Sequence, residues 1–350
     1  MLVEKSPIIG GMPMRYEEVF PYIDCCGACM LEPILGDVLH GEYAENIELL
    51  TLSEVVDVVG YYGNFIVKIR QSPRYVDIDR CIGCGECIVP CPVSTKNEFN
   101  YGLNNRKAIA FPFTGALPNV PFIDEKACLR SRGEDCQLCR DACPMEGAII
   151  YDDSERLLER NVGAIVVAIG STLYDCTRVP NLGYGTVPDV YTSLELERIM
   201  ASNGPTEGII TTSEGKSPES IAIIHCVGSR EKDYLEYCSG ICCQYALKYN
   251  HLISKKLPHI NIYHFYKELT LPGKEEFILY NHARENPNTR VIRFENIDDL
   301  TVRMGDSTKI VEFISPVRQK ERITVDMIVL CPAVVPPPDT GKLEAILEAP

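Results

Sequence analysis

Apolar residues fall along this chain in short runs, and no single period dominates. Residues 47–69 read as two strands: VVDVV, a turn at Gly60, then FIVKI with alternating polarity. Asn46–Ser53 adds a short apolar segment, and Met1–Lys5 is strand-like before a turn at Ile9-Gly10-Gly11. Gly163–Ile169 (GAIVVAI) and Ile221–Val227 (IAIIHCV) are unbroken apolar runs, the pattern of strands buried on both faces. Further strands are expected over Ile260–Tyr266, Arg290–Phe294, Leu300–Arg303, Lys309–Ile314 and Thr324–Leu330. Helices are expected over Ser193–Ala201, with Ser193 as N-cap and Glu195 in the first turn, and over Tyr237–Lys256 and Lys274–Glu285. Residues 203–220, rich in Gly, Pro, Ser and Thr, read as a linker. Strands alternating with helices predict an α/β fold with a mostly parallel sheet.

Composition sharpens this picture at one point. Of 350 residues, 45% are hydrophobic and 24% charged, which is ordinary globular usage. The net charge of −15 argues against nucleic acid and acidic membranes as main partners. Seventeen cysteines are the unusual feature. The first residues carry no signal-peptide pattern, and no apolar stretch approaches the roughly 18 residues of a membrane span. A cytoplasmic location is expected, where thiols stay reduced and clustered cysteines bind metal.

Cys81-x2-Cys84-x2-Cys87-x3-Cys91-Pro92 is the bacterial ferredoxin run. Three thiolates on one tight loop reach three irons of a cubane, and the fourth points to a neighbouring cluster. Gly83 and Gly85 let the loop bend. A second run, Cys128-x7-Cys136-x2-Cys139-x3-Cys143-Pro144, has a stretched first spacing. Crossed ferredoxin ligation assigns Cys81, Cys84, Cys87 and Cys143 to one [4Fe–4S] cluster. Cys91, Cys128, Cys136 and Cys139 take the other. The alternative is a degenerate second run holding zinc or nothing.

Cys226 ends a buried strand, and Cys238, Cys242 and Cys243 follow in YCSGICCQYALK. Cys238 and Cys242 are expected on one helix face, at i and i+4. In nucleotide-binding α/β domains, phosphates sit at this strand–helix mouth over G-x-G-x-x-G. That motif occurs nowhere in the chain. The residues point either to a third cluster or to buried structural cysteines. Cys25, Cys26 and Cys29 form a fourth group, readable as a redox dithiol, a metal half-site or core. Cys176 and Cys331 read as core. His225, beside Cys226, reads as a core histidine with cluster tuning or ligation as the alternative.

Taken together, several segments resemble the family of the A-type subunit of heterodisulfide reductase. They are VEKSPIIGG, DCCGACMLEP, NIELLTLSEV, GYYGNFIVKIRQSPRYVD, the CIGCGECIVPCPV run, GAIVVAIG, and CVGSR with YCSGICCQYALK. The resemblance implies a thioredoxin-reductase-like flavin domain with an inserted two-cluster ferredoxin domain. It also implies a non-standard [4Fe–4S] cluster held by Cys226, Cys238, Cys242 and Cys243. Lys248 matches a flavin-adjacent lysine. Glu4, Gly10, Gly11, Ala168 and Gly170 would contact FAD. The family's G-x-G-x-x-G and C-terminal flavin segments have no counterpart here, so a short or split member is expected. Either another polypeptide completes the flavin site, or only the clusters remain, or the sequence is a fragment of a longer protein.

The expected division is a partial FAD-type domain at 1–77, the ferredoxin insertion at 78–150, and an FAD-type return at 151–202. A linker at 203–220 and an NAD(P)-domain-like unit at 221–350 complete it. The expected function is an iron–sulfur electron-transfer subunit of an anaerobic multi-subunit oxidoreductase. Candidate assemblies are heterodisulfide reductase and the related module of ATP-independent benzoyl-CoA reductase complexes. Expected partners are the B-type and C-type, or the D-type, subunits of heterodisulfide reductase. A protein like the delta subunit of methyl-viologen-reducing hydrogenase, or a polypeptide completing the flavin site, is also expected. The alternatives are a self-contained FAD-dependent oxidoreductase and a scaffold with structural clusters.

Overall fold

The computed structural model describes residues 1–19 and 25–347, which form two compact units. The first comprises residues 1–15, 26–170 and 337–347, and the second residues 16–19, 25 and 171–336. This division differs from the five expected segments, because residues 171–202 enter the second unit. No helix among the described residues is long and apolar enough to cross a membrane.

In the first unit, Ser53–Tyr61, Asn64–Gln71 and Arg156–Val162 form a three-stranded antiparallel sheet. The reversal falls at Tyr62-Gly63, just beyond the expected Gly60. Gly60 lies inside the first strand with φ +116°, where a Cβ would meet the Asn64 carbonyl at 2.2 Å. Leu50, Val67 and Ile69 form the core behind this sheet. The sequence pattern does not announce the helix at Gly27–His40, since Pro33 and Gly36 interrupt it with poor helix formers. Pro33 falls inside the helix, yet the helix continues to Gly41, whose N–H bonds the Asp37 carbonyl. The apolar run at 163–169 is not a strand. It is irregular and mostly exposed, with Val166 89% accessible. Its apolar residues match a buried strand by pattern, but no strand pairs with them among the described residues.

The ferredoxin block within this unit is built on short pairings and turns. Phe122–Ile123 pairs with Ile109–Ala110, and Val76 bridges Ile149. Its core gathers Val76, Ile109, Val120, Ile123 and Ile149 with Cys87 and Cys91. Arg74 is buried beneath it, donating to the Val120 carbonyl at 2.9 Å and to Thr51 Oγ1 at 2.9 Å. One guanidinium thus ties the segments around Thr51, Arg74 and Val120. Desolvation lowers its pKa to about 10.

The second unit carries a five-stranded parallel sheet. Its order is Val190–Thr192, Met327–Pro332, Ser220–Val227, Asn261–Tyr266, Thr289–Arg293. Helices Ser193–Met200 and Cys242–Lys256 pack on it, burying Leu196, Met200, Ala246, Leu252 and Ile253 against Ile221, Ile223 and Val329. The expected strand Thr324–Leu330 divides at Asp326. Lys320–Val325 closes a three-stranded antiparallel sheet, while Met327–Pro332 enters the parallel one. Asp326 holds the break, accepting hydrogen bonds from Glu219 N, Ser220 N and Ser220 Oγ. The N-cap of the 193–200 helix is Thr192, not Ser193, in a capping box with Glu195, so two orphan donors are satisfied at once.

Two histidines lie fully inside this unit. His225 Nε2 meets His264 Nδ1 at 3.0 Å, and His264 Nε2 meets Asn250 Nδ2 at 3.1 Å. Burial lowers both pKa values, that of His264 to about 4. Each stays neutral in the fold, so the unfolded chain binds more protons below its ordinary titration range. Stability should therefore fall with decreasing pH by about 1.4 kcal/mol per unit for each group. For His264 the loss runs from its ordinary value of 6.5 down to about pH 4. Urea unfolding across that window checks it. Replacing His264 with Gln should flatten the slope.

Candidate metal centres

None of the 17 cysteines is disulfide-bonded. Sequence spacing puts eight of them in the ferredoxin block, and chain geometry groups them. Cys91, Cys128, Cys136 and Cys139 line one pocket, with Ala108, Ile109 and Ile123 as its apolar wall. Cys91 comes from the first run and its companions from the second. Cys143, from the second run, faces the other set: it raises the pKa of both Cys81 and Cys87. Desolvation comes first among the causes, and lifts Cys87 to about 12. Buried neutral thiols of this kind must lose protons to bind metal, and metal supplies the compensating charge. Gly83 donates its N–H to Cys81 Sγ at 3.4 Å. Its φ is +69°, and a Cβ there would meet the Asn119 carbonyl oxygen at 2.7 Å. Only glycine fits this loop.

The third set stands in the second unit. Cys226 is 5% exposed at the carboxyl end of a central strand. A register shift between Ile224 and Val227 coincides with φ +58° at Cys226. A bulge of this kind re-aims a side chain. Gly228 follows with φ +69°, closed over by the Tyr174 ring, which a Cβ would meet at 2.3 Å. The helix begins at Cys242, not at Tyr237. Cys238 therefore lies in the preceding loop, and the expected i, i+4 face with Cys242 does not form. The four thiols are nonetheless neighbours. Cys243, Cys242 and Cys238 each raise the Cys226 pKa, after desolvation, to about 12. Arg230 acts in the opposite sense on Cys226 and on Cys243. The N-terminus of the 242–256 helix faces this mouth, favouring negative charge.

Cys331, read from the sequence as core, is fully buried on the adjacent strand, where desolvation and then Cys242, Cys243 and Cys226 raise its pKa. No spacing rule would place it there, since it arrives by a strand crossover. His225 is a satisfied core histidine at Nε2, with Nδ1 unpartnered.

Cys26 and Cys29 stand at the start of the 27–40 helix, with sulfurs 2.9 Å apart, and Cys26 caps it by accepting from the Cys29 N–H at 3.2 Å. With their chain neighbour Cys25, the three sulfurs lie within 4.8 Å of one another. This is the spacing of a single-ion site.

The expected flavin contacts are dispersed in kind. The Glu4 carboxylate accepts the Ser6 N–H at 2.7 Å. Gly10 and Gly11 have φ +107° and +59°. Ala168 and Gly170 lie in the irregular exposed segment. Lys248 is no surface lysine: it is 3% exposed and ion-paired with Glu197, with Nζ also donating to the Glu18 carbonyl at 2.9 Å. Glu197 in turn accepts the Glu17 N–H at 3.0 Å. Removing one partner leaves a buried charge, so Glu197→Ala should cost about 3–5 kcal/mol in denaturant unfolding. The double variant Glu197→Leu with Lys248→Met should recover most of it.

A 4Fe-4S binding domain model matches residues 74–95, the segment holding Cys81, Cys84, Cys87 and Cys91. The chain is 39% identical to the A-subunit of the H(2):CoB-CoM heterodisulfide,ferredoxin reductase of Methanothermobacter thermautotrophicus, over 98% of this chain and 50% of that protein. It is 39% identical to the iron-sulfur A-subunit of the CoB–CoM heterodisulfide reductase of Methanocaldococcus jannaschii, covering 99% of this chain and 51% of that protein. A counterpart from Methanopyrus kandleri is 40% identical, with 99% and 52% covered. The chain thus spans about half the length of these relatives. By sequence it is a homologue, over nearly all of its own length, of the A-type subunit of heterodisulfide reductase.

Proposed function

We propose that the chain is an electron-transfer unit of a cytoplasmic, multi-subunit oxidoreductase of the heterodisulfide reductase type. The observation that carries this reading is the crowding of cysteines in two places: around one pocket lined by Cys91, Cys128, Cys136 and Cys139, with Cys81, Cys84, Cys87 and Cys143 close by, and at the strand–helix mouth of Cys226, Cys238, Cys242 and Cys243. In this reading each set holds one [4Fe–4S] cluster, and bound clusters supply one-electron storage and transfer. The protein supplies thiolates, apolar walls that exclude water, and N–H groups directed at sulfur, which tune a cluster from outside its ligands. FAD, held at Glu4, Gly10, Gly11, Ala168 and Gly170, is the further cofactor of this reading, and flavin content of the anaerobic protein tests it. Other subunits of a heterodisulfide-reductase-like complex are the proposed partners, as donor and acceptor of the electrons.

The test is spectroscopic. Anaerobically purified chain should bleach reversibly with dithionite and show reduced-cluster EPR signals. Redox silence in a fully iron-loaded chain would contradict electron transfer and favour structural clusters.

A further inference from the structure

The two ferredoxin-type cysteine sets are unequally surrounded. Tyr151 Oη lies 3.1 Å from Cys139 Sγ, at the wall of the cavity lined by Cys91, Cys128, Cys136 and Cys139. Its ring is also flanked by cations: the Arg130 guanidinium carbon is 4.4 Å from the ring centroid and that of Arg140 is 5.0 Å. Tyr151 also borders a second, open cleft of about 570 Å³ lined by Tyr75, Glu125, Cys128, Arg130 and Ser131. With Cys128 and Ile123 it lies on the boundary between the two. Around Cys81, Cys84, Cys87 and Cys143, the described residues offer no bonded hydroxyl, only the Gly83 N–H to Cys81.

We propose that Tyr151 raises the reduction potential of the cluster held by Cys91, Cys128, Cys136 and Cys139, by donating its hydroxyl proton to the Cys139 sulfur from between Arg130 and Arg140. The proposal rests on the reading of those four cysteines as cluster ligands. Its direction follows from proton inventory. A free thiol and a phenol can each donate, but a ligating cysteine is a thiolate and carries no proton. The hydroxyl must then be the donor. Reduction adds one electron from the external reductant, breaks no bond and moves no proton. The added negative charge strengthens the hydrogen bond and its attraction to the two guanidinium groups, so the reduced form gains most. The other ferredoxin-type set lacks this hydroxyl donor.

The experiment is an EPR-monitored redox titration of the anaerobic full chain and its Tyr151→Phe variant. Phenylalanine keeps the wall and removes only the hydroxyl. The iron content should stay unchanged. One reduction wave should shift down, so that its reduced-to-oxidised ratio at fixed potential falls about fivefold. At 59 mV per decade for one electron, that is about 40 mV. Arg130→Gln and Arg140→Gln should shift the same wave in the same direction, and they decide the matter if Tyr151→Phe loses iron. Unshifted waves in fully loaded variants would overturn the role of Tyr151. Full iron retention in Cys139→Ala would instead overturn the ligand reading beneath it.

Discussion

Replacing Cys81 and Cys143 together removes about four iron atoms per chain, no more than either single replacement removes. The two residues lie in different runs, so independent runs would lose about eight. The expectation follows from placement. Cys143 faces Cys81 and Cys87, while Cys91 closes the cavity of Cys128, Cys136 and Cys139. The mirror experiment pairs Cys81→Ala with Cys91→Ala. Both belong to the first run, yet they fall in different sets, and about eight iron atoms should go. Iron and acid-labile sulfide on anaerobic protein read both results. A loss of four in the second pair would restore self-contained runs.

The second large effect concerns the strand–helix mouth. Cys243→Ala should remove about four iron atoms and leave both ferredoxin-type signals intact. Cys226→Ala should do the same. It leaves the positive φ at that position still strained, since alanine keeps a Cβ. Cys331→Ala is the control. That thiol is fully buried beside the set, on a neighbouring strand, and the variant should keep its iron. If Cys331→Ala lost iron while Cys238→Ala did not, the fourth ligand would be Cys331. That outcome has a physical basis, because Cys238 is exposed and sits in a loop, while Cys331 is fixed by the sheet.

Local chemistry was legible in the sequence, and long-range chemistry was not. The first ferredoxin run could be read because its four cysteines follow a known spacing within one stretch of chain. The parallel strands at 220–227 and 261–266 were legible from their apolar runs. The same rule failed at 163–169, where apolar composition without a pairing partner gave an exposed, irregular segment. The helix expected from Tyr237 starts at Cys242, because Ser239-Gly240 turns first, with φ +72° at the glycine. No local pattern announced the Lys248–Glu197 pair, 51 residues apart, or the Tyr151–Cys139 contact. Each exists only because the sheet or the cysteine loops bring distant segments together.

Iron and acid-labile sulfide per chain, on anaerobically prepared protein, test most directly whether this chain carries three four-cysteine metal centres. Three cubanes give about 12 of each. A value near eight would remove the centre at Cys226, Cys238, Cys242 and Cys243, and zinc in place of iron would contradict all three centres as cubanes.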